Sequence, residues 1–212
     1  MNDKSKASGS QLTGLDEKAV DVDPINMFSR WFTAAKQAGL HMPEAMTLAT
    51  ATKDGRPSAR MVLLKQFDQR GFVFYTNYNS RKAHDLDDNP CAALVFHWGP
   101  LEYQVRVEGI ATRTSADESD AYFQTRPRES QLGALASPQS EVITSREVLE
   151  KRLEELTELY AGGPVKRPAH WGGYLLMPNQ IEFWKGRVGR LHDRLLYERE
   201  PNGTWTIRRL AP

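Results

Sequence analysis

Two spacings of hydrophobic residues divide this chain into helical and extended segments. Asp23 and Pro24 have the residue types favoured at a helix N-cap and at the first helical position. Apolar side chains then follow three or four residues apart up to Gly39, a residue type that commonly ends a helix. The sequence therefore predicts an amphipathic helix whose buried face carries Phe28, Trp31, Phe32 and Ala35.

From Met46 onward the pattern is typical of short strands separated by turn residues such as Asp54-Gly55 and Asn202-Gly203. Short connections place consecutive strands in antiparallel pairs, and no regular alternation of strand and helix occurs. We predict a mainly β (α+β) fold, an antiparallel barrel of about six to eight strands with peripheral helices. The predicted strands are residues 46–52, 58–67, 72–76, 91–98, 101–114, 171–177, 180–184, 190–198 and 204–210.

Two capping boxes predict further helix starts, because a Ser or Thr followed three residues later by Glu satisfies free amides at a helix N-terminus. The boxes pair Ser115 with Glu118 and Thr144 with Glu147. The second helix would be amphipathic through Leu149, Leu153, Leu156 and Tyr160.

Residues 1–22 are polar, rich in Ser, Gly, Asp and Lys, and show no hydrophobic period. Such a segment has too little apolar surface to order itself, so we predict a disordered N-terminal tail over residues 1–22. Residues 23–212 are predicted to form a single domain.

Composition narrows the classes of function. Lys and Arg number 28 against 27 Asp and Glu, a net charge of +1, so anion binding must depend on local clusters rather than an overall field. The single cysteine, Cys91, excludes an internal disulfide framework and lies in an apolar run, which we interpret as burial. No stretch reaches the ~20 apolar residues of a membrane span, and no signal-peptide pattern occurs. We expect a soluble cytoplasmic protein.

One cationic cluster follows the string Ile181-Glu182-Phe183-Trp184. If the segment from residue 190 is a strand, alternate side chains share a face. One face then carries Arg190, His192 and Arg194, and the other carries Leu191, Asp193 and Leu195. Two guanidiniums and an imidazole repel each other unless an anion lies among them, so a planar-anion site is the favoured interpretation. A solvated polar face is the alternative.

Two further clusters place cations beside strand ends. The cations of the string from Arg60 to Lys65 flank an apolar strand and fall on opposite faces unless a bulge turns one of them. Beyond the next strand, Asn79 or Ser80 is predicted to cap a helix that begins with Arg81-Lys82. Cations at a helix N-terminus oppose the helix dipole, so a bound phosphate would explain this pair, with solvated cations as the alternative.

Tyr122, Arg126 and Ser130 recur at intervals of four residues. Pro127 should break the helix, which leaves Ser130 as the predicted cap of a helix over residues 131–136. A phenol, a guanidinium and a hydroxyl that converge across this kink would form a second phosphate pocket. The alternative is that the regular spacing of these three residues is a coincidence.

Other chemistries lack their motifs. The five histidines form no HxxxH pair and a single cysteine cannot complete a ligand set, so we predict no metal site. No GxSxG elbow and no glycine-rich nucleotide loop occurs. The residues alone therefore indicate a small β-barrel with two cationic pockets, one for a phosphorylated cofactor and one for a phosphorylated substrate.

Several strings, in this order, resemble the pyridoxamine 5′-phosphate oxidase family. They are RMVLLK, VFYTN-x-x-SRKA, RPR-x-SQ-x-GA, PQS, WGGY, QIEFW, RLHDR-x-LY and the terminal RLAP. The resemblance extends from about Pro24 to Pro212. It implies an FMN-binding split β-barrel and a homodimer with FMN in clefts at the subunit interface.

The resemblance also implies roles for individual residues. The residues implied to bind FMN are Arg60, Met61, Val62, Leu63, Leu64, Lys65, Tyr75, Thr76, Arg81, Lys82, Gln104, Gln139, Ser140, Trp184 and Arg194. The residues implied to bind substrate are Lys65, Tyr122, Arg126, Ser130, Arg190, Leu191 and His192. Of these, Arg190 and His192 are implied to be catalytic, lying against the substrate ring opposite the flavin.

The implied reaction oxidises pyridoxamine 5′-phosphate and pyridoxine 5′-phosphate to pyridoxal 5′-phosphate, a step of vitamin B6 biosynthesis and salvage. A hydride passes from substrate carbon 4′ to the flavin, and dioxygen then reoxidises the flavin and leaves as hydrogen peroxide. Two alternatives are another split-barrel flavin or deazaflavin oxidoreductase, and a non-catalytic protein that binds FMN or pyridoxal phosphate.

Two positions depart from the family pattern. Ala7-Ser8-Gly9-Ser10 stand where members often carry basic and aromatic residues of a segment that folds over substrate. Met42 stands where many members carry an acidic residue. Because neither belongs to the implied flavin set, we expect altered substrate affinity rather than loss of activity.

Overall fold

The computed structural model describes residues 14–212, which contain five α-helices and nine strands. The helices are α1 Pro24–Gln37, α2 Arg81–Asp88, α3 Ala116–Thr125, α4 Arg128–Ala136 and α5 Glu147–Leu159. The strands are β1 Ala45–Ala51, β2 Pro57–Leu63, β3 Gln66–Asp68, β4 Gly71–Asn77, β5 Cys91–Trp98, β6 Tyr103–Arg113, β7 Trp171–Lys185, β8 Asp193–Arg199 and β9 Trp205–Arg209. Short 3₁₀ turns lie at Gly99–Leu101 and Val188–Arg190.

All nine strands belong to one antiparallel sheet in the order β2-β1-β5-β6-β7-β4-β3, with β8 pairing to β7 and β9 to β8. Strands β2 and β4 lie far apart in this order, yet they meet in space. The sheet is therefore curled. The Lys65 amide, just after β2, donates to the Val73 carbonyl of β4 at 2.9 Å. The predicted antiparallel, mainly β architecture is confirmed.

Helix α1 supplies much of the aromatic core. Its Asp23 cap accepts a hydrogen bond from the Ile25 amide at 2.8 Å, as the sequence predicted. Phe28 is fully buried, and its ring centroid lies 4.9 Å from those of Phe67, Phe72 and Phe96. Edge-to-face pairs of this kind add about 0.5–1.5 kcal/mol each to the hydrophobic burial. Helix α1 is thereby fixed against β3, β4 and β5.

Two strand predictions were wrong. The predicted strand over 58–67 is interrupted at residues 64–65, where the chain turns from β2 into β3. Conversely, the two strands predicted on either side of Pro178 form a single β7. The pairing of β7 with β6 shifts between Glu108 and Gly109, where Asn179 of β7 forms a bulge without a partner on β6. Gly109 is required there, because a Cβ would collide with the Met177 carbonyl.

Three local predictions were also wrong. The Thr144 capping box does not form, since α5 begins at Glu147 and Arg146 occupies its cap position. Ser130 is not a cap either, because α4 already begins at Arg128 behind Pro127. Cys91 is exposed, because the burial alternation of β5 turns its first residue outward. The Ser115–Glu118 capping box is confirmed by bonds in both directions.

Residues 14–22 make specific contacts with the C-terminal strands, which the sequence analysis did not expect. The Leu15 amide donates to Asp193 at 3.2 Å, and Arg209 binds Glu17 at 2.6 Å. The Tyr197 hydroxyl donates to the Asp21 carbonyl at 2.7 Å. The tail boundary at residue 22 and the single-domain division stay predictions, and the Ala7–Ser10 stretch lies outside the described residues.

Among the helices described, none is both long and apolar enough to cross a membrane.

Candidate active site

A polar cleft of about 460 Å³ opens between β2, β4, α3 and α4. The sequence-predicted residues that line it are Met61, Val62, Leu63, Lys65, Tyr75, Thr76, Lys82, Tyr122, Arg126, Ser130 and Gln139. Thr125, Pro127 and Trp171 also line it, and the sequence analysis did not assign them to a site. The lining carries the cations Lys65, Lys82 and Arg126 but no carboxylate. The cleft is therefore suited to anions.

One end of the cleft is organised around Lys82, in the first turn of α2. Its ammonium donates to Gln139 at 2.8 Å, to Ser80 at 3.1 Å and to Thr76 at 3.2 Å. All three partners are neutral, so the charge is not compensated. Burial lowers the pKa of Lys82 to about 8, and repulsion from Arg60 acts in the same direction. A phosphate at this position would stabilise the charged ammonium.

The other end is organised around Arg126, in the extended link between α3 and α4. One guanidinium nitrogen, Nη1, is buried without a hydrogen-bond partner in the described part of the chain. Burial lowers the pKa of Arg126, and its interaction with Tyr122 offsets this only in part. A buried N–H group without a partner is costly, and a ligand phosphate would satisfy it. Ser130 lines the same cleft, so the predicted convergence across the kink exists although Ser130 is not a cap.

Three nearly parallel aromatic rings form one wall between the two ends. The Tyr75 and Tyr122 centroids are 4.0 Å apart, and the Trp171 ring lies 5.4 Å from Tyr75. Gly173 lets the rings approach the sheet, because a Cβ there would lie 2.9 Å from the Tyr75 ring. The two pockets that the sequence analysis treated as separate are thus parts of one continuous cleft.

Four predicted residues of this region do not line the cleft. Arg60 instead donates to Thr50 and Ser58 at 2.7 Å and lies 3.7 Å from the Asp85 carboxylate. Leu64 is buried in the core. Arg81 is exposed at the start of α2, and Ser140 is exposed with a φ of 75° beside Gln139.

The remaining predicted residues form a second group on β6, β7 and β8, away from the cleft lining. Gln104 is paired with Trp184, and Trp184 with Arg194, across neighbouring strands. Arg194 donates to Glu182 at 2.8 and 3.0 Å, and this bond raises the pKa of Arg194. Glu182 is only 6% exposed. Sequence reasoning missed its role, although an acidic residue in the apolar string IEFW was a usable signal.

The predicted strand from Arg190 was wrong. Residues Val188–Arg190 form a tight turn, β8 begins at Asp193, and Leu191 is 74% exposed. Gly189 and Arg190 both adopt left-handed backbone angles, with φ of 73° and 63°, which reverses the chain before β8. Arg190 and His192 are therefore presented by a loop and not by strand alternation.

The loop fixes the tautomer of His192. The Arg187 amide donates to the imidazole Nδ1 at 3.1 Å, so Nδ1 acts as an acceptor. In the neutral ring the proton then resides on Nε2, which leaves an N–H donor available to a ligand. The ring lies 4.6 Å from that of Trp184. His192 is thus oriented by both the loop backbone and an aromatic neighbour.

Asp193 ties this loop to the rest of the molecule. Its carboxylate accepts from Arg209 at 2.7 Å and from the Leu15 amide at 3.2 Å, and lies 3.5 Å from Arg187.

We expect Asp193→Ala to lower the free energy of unfolding by about 1–3 kcal/mol, because a largely buried acceptor with several donors is lost. Thermal unfolding at a fixed protein concentration measures this. Glu17→Ala, which removes the more exposed partner of Arg209, is the matched control and should cost less. An equal loss in both variants would contradict the role given to Asp193.

The fold and the cleft define an antiparallel split-barrel protein with a polar cleft lined by cations. Residues 32–160 match the family model described as pyridoxamine 5′-phosphate oxidase. Residues 171–212 match the pyridoxine 5′-phosphate oxidase C-terminal dimerisation region. The chain belongs to the pyridoxamine 5′-phosphate oxidase family, as its sequence motifs predicted. This membership makes it an oxidoreductase and supports FMN as its cofactor.

The names of two relatives support the same family assignment. The pyridoxine/pyridoxamine 5′-phosphate oxidase of Rubrobacter xylanophilus is 63% identical over 199 residues, covering 94% of this chain and 91% of that protein. The protein of the same name from Nostoc punctiforme is 58% identical over 201 residues, covering 95% and 94%.

Solved structures confirm the predicted split-barrel fold. PhzG from Burkholderia lata, in complex with tetrahydrophenazine-1-carboxylic acid, superposes with a TM-score of 0.90 at 34% identity, covering 96% of this chain and 100% of that one. A pyridoxamine 5′-phosphate oxidase-related, FMN-binding protein from Nostoc punctiforme gives a TM-score of 0.72 at 20% identity, covering 91% and 100%. The second likeness concerns the fold alone.

Proposed function

We propose that this protein catalyses the FMN-dependent oxidation of pyridoxamine 5′-phosphate and pyridoxine 5′-phosphate to pyridoxal 5′-phosphate. The observation that carries the proposal is the cleft itself, which is lined by three cations and no carboxylate and contains a buried guanidinium nitrogen, Nη1 of Arg126, without a hydrogen-bond partner among the described residues. Such a lining is matched to phosphate groups. A cleft for phosphates is compatible with many reactions. The choice of this reaction is supported by two relatives that are named for it and are 63% and 58% identical to this chain.

The Lys82 end of the cleft fits the FMN phosphate. Its ammonium is held by three neutral oxygens and lacks an anion, and Thr76 and Gln139 lie within its hydrogen-bonding reach. Arg60, near Lys82, adds positive potential from behind the strand. Bound FMN would supply the redox chemistry, accepting a hydride from substrate carbon 4′ and passing electrons to dioxygen.

The Arg126 end fits the substrate phosphate. Arg126 and Lys65 provide charge, and Tyr122 and Ser130 provide hydroxyl groups in the same cleft. Arg190 and His192 would hold the substrate ring, with the His192 Nε2–H donating to a ring substituent. Both residues would position the reacting carbon. Such positioning can supply a large part of an enzyme's rate acceleration.

A homodimer would unite the two groups of residues. Trp184, Arg190, His192 and Arg194 do not line the cleft, yet all lie within the stretch that matches the dimerisation region. A partner subunit would therefore bring its second group to the cleft of the first, with FMN between them. A free, exposed Cys91 fits a reducing compartment, and the cytoplasm is the location we propose.

Subunit mixing tests the shared site. At substrate concentrations well below KM, Arg126→Ala and Arg190→Asn homodimers should each keep at most about a tenth of the normal activity. Unfolding and refolding them together should restore about a quarter of the sites, because mixed dimers would contain one intact site. No recovery, with mixed dimers verified by differential tagging, would place both residues in the same subunit's site.

Hydrogen peroxide production tests the reaction. The protein with FMN should produce peroxide from either B6 phosphate. PhzG, with its bound phenazine acid and 34% identity, motivates a parallel assay with a reduced phenazine carboxylate. Turnover of the phenazine alone would overturn the proposal, and binding of FMN without turnover of any substrate would favour a carrier.

The depressed pKa of Lys82 predicts a pH dependence for FMN binding. Below about pH 8 Lys82 is charged in the free protein, so affinity is constant with respect to this group. Above that pH a proton must be taken up on binding, and affinity should fall by up to about tenfold per pH unit. Flavin fluorescence titrations between about pH 7 and 9 measure this. Lys82→Arg, which stays charged, should remove the fall, and an unchanged fall would exclude Lys82 as its cause.

A further inference from the structure

The indole of Trp171 lies against the guanidinium of Arg126. The guanidinium carbon is 4.5 Å from the centre of the Trp171 ring, within the range of a cation–π contact. Trp is the aromatic side chain that attracts a guanidinium most strongly, and burial from water increases the attraction. Trp171 begins the string WGGY, but the family resemblance implied no role for its side chain.

Trp171 is itself held rigidly. Its side chain is 6% exposed, and its ring meets that of Phe123 edge-on at 5.2 Å. The Trp171 carbonyl accepts from Arg167 at 2.7 Å, and Arg167 also binds Asp120 of α3 at 2.7 Å. The first residue of β7 is therefore tied to α3, the helix that leads directly into Arg126. The platform and the guanidinium belong to one connected unit.

An aromatic ring can orient Arg126 without occupying its donors or neutralising its charge, which a carboxylate partner could not do. A carboxylate would orient Arg126 but would also occupy its N–H donors and reduce its net charge. The Trp171 face orients the guanidinium plane and consumes no in-plane donor. Nη1 of Arg126 has no hydrogen-bond partner within the described residues, and the cleft lining contains no acid. The donors therefore stay available to a ligand oxyanion.

The geometry points to Trp171 as a positioning residue that sets the preference for phosphorylated over unphosphorylated substrates by holding Arg126 ready. This inference rests on the proposed function. Trp171 does not bond the phosphate, so its effect passes through Arg126.

The test compares pyridoxine 5′-phosphate with pyridoxine, which lacks the phosphate, as substrates of the FMN-loaded protein. We expect Trp171→Leu to lower the ratio of the two kcat/KM values by about 5- to 30-fold, the range of a partly to fully desolvated cation–π contact. Any loss of activity towards pyridoxine should be smaller than the loss towards pyridoxine 5′-phosphate. Trp205→Leu is the matched control, because Trp205 contacts Arg199 at 5.9 Å on β9, away from the cleft lining.

A double-mutant cycle separates positioning from general damage to the fold. In an Arg126→Ala background, Trp171→Leu should lower the ratio no further, because the residue through which it acts is gone. Additive losses would overturn the inference. If Trp171→Leu does not bind FMN, Trp171→Phe decides: it keeps a ring and should lower the ratio by about threefold, and an unchanged ratio would overturn the inference. Failure of the wild-type protein to oxidise pyridoxine 5′-phosphate would instead refute the proposed function.

Discussion

Arg126→Ala should raise KM for pyridoxine 5′-phosphate by roughly 10- to 150-fold, while the purified protein remains yellow with FMN. The loss corresponds to about 1.5–3 kcal/mol for a hydrogen bond between charged groups. Lys82 is held by Thr76, Ser80 and Gln139 and not by Arg126, so the flavin phosphate should be unaffected. Steady-state kinetics together with the visible absorbance of the bound flavin measure both quantities.

The control for Arg126 is Arg56→Ala, which removes an arginine from an exposed turn after β1. It should leave KM within about twofold, since exposed ion pairs contribute little. If Arg126→Ala lost FMN as readily as it lost substrate affinity, the cleft would not be divided between cofactor and substrate as we propose.

Arg190→Asn should reduce kcat by roughly 10- to 150-fold with little effect on FMN occupancy, again the equivalent of about 1.5–3 kcal/mol. Asn is the appropriate substitution because Arg190 has a φ of 63°, and Asn tolerates this left-handed conformation better than most residues. The change therefore removes the guanidinium without adding backbone strain. Rapid-reaction measurement of flavin reduction isolates the affected step.

Arg199→Ala provides the control for Arg190, because Arg199 is an exposed arginine at the far end of β8. Its kcat should match that of the unmodified protein. Normal flavin reduction in Arg190→Asn would mean that this loop does not contact the reacting substrate.

A helix or strand could be predicted wherever the residues of that segment alone specified it. Helix α1 followed from the spacing of Phe28 and its neighbours and from the Asp23 cap. The union of two predicted strands in β7 was not predictable, because it depends on a bulge opposite Gly109 in another strand. The turn before β8 was missed because alternation was assumed through Arg190, although Gly186 and Gly189 already indicated an irregular backbone.

The sequence predicted many of the residues that line the cleft, but it did not predict how they are arranged. Tyr122, Arg126 and Ser130 converge as their spacing suggested, although Pro127 and not Ser130 precedes α4. Trp171 stands in the string WGGY, but its contact with Arg126 could not be predicted from local patterns, because the contact joins residues 45 positions apart in sequence. The separation of Arg190 and His192 from the cleft also could not be read from the sequence, since both groups appeared to belong to one site.

The most direct test of the central claim is the anaerobic reaction of the FMN-loaded protein with pyridoxine 5′-phosphate. Without oxygen, the visible flavin absorbance should bleach in proportion to the pyridoxal 5′-phosphate formed, one flavin reduced for each aldehyde. Admission of air should restore the colour and release hydrogen peroxide. A flavin that stays oxidised in the presence of saturating substrate would contradict the account.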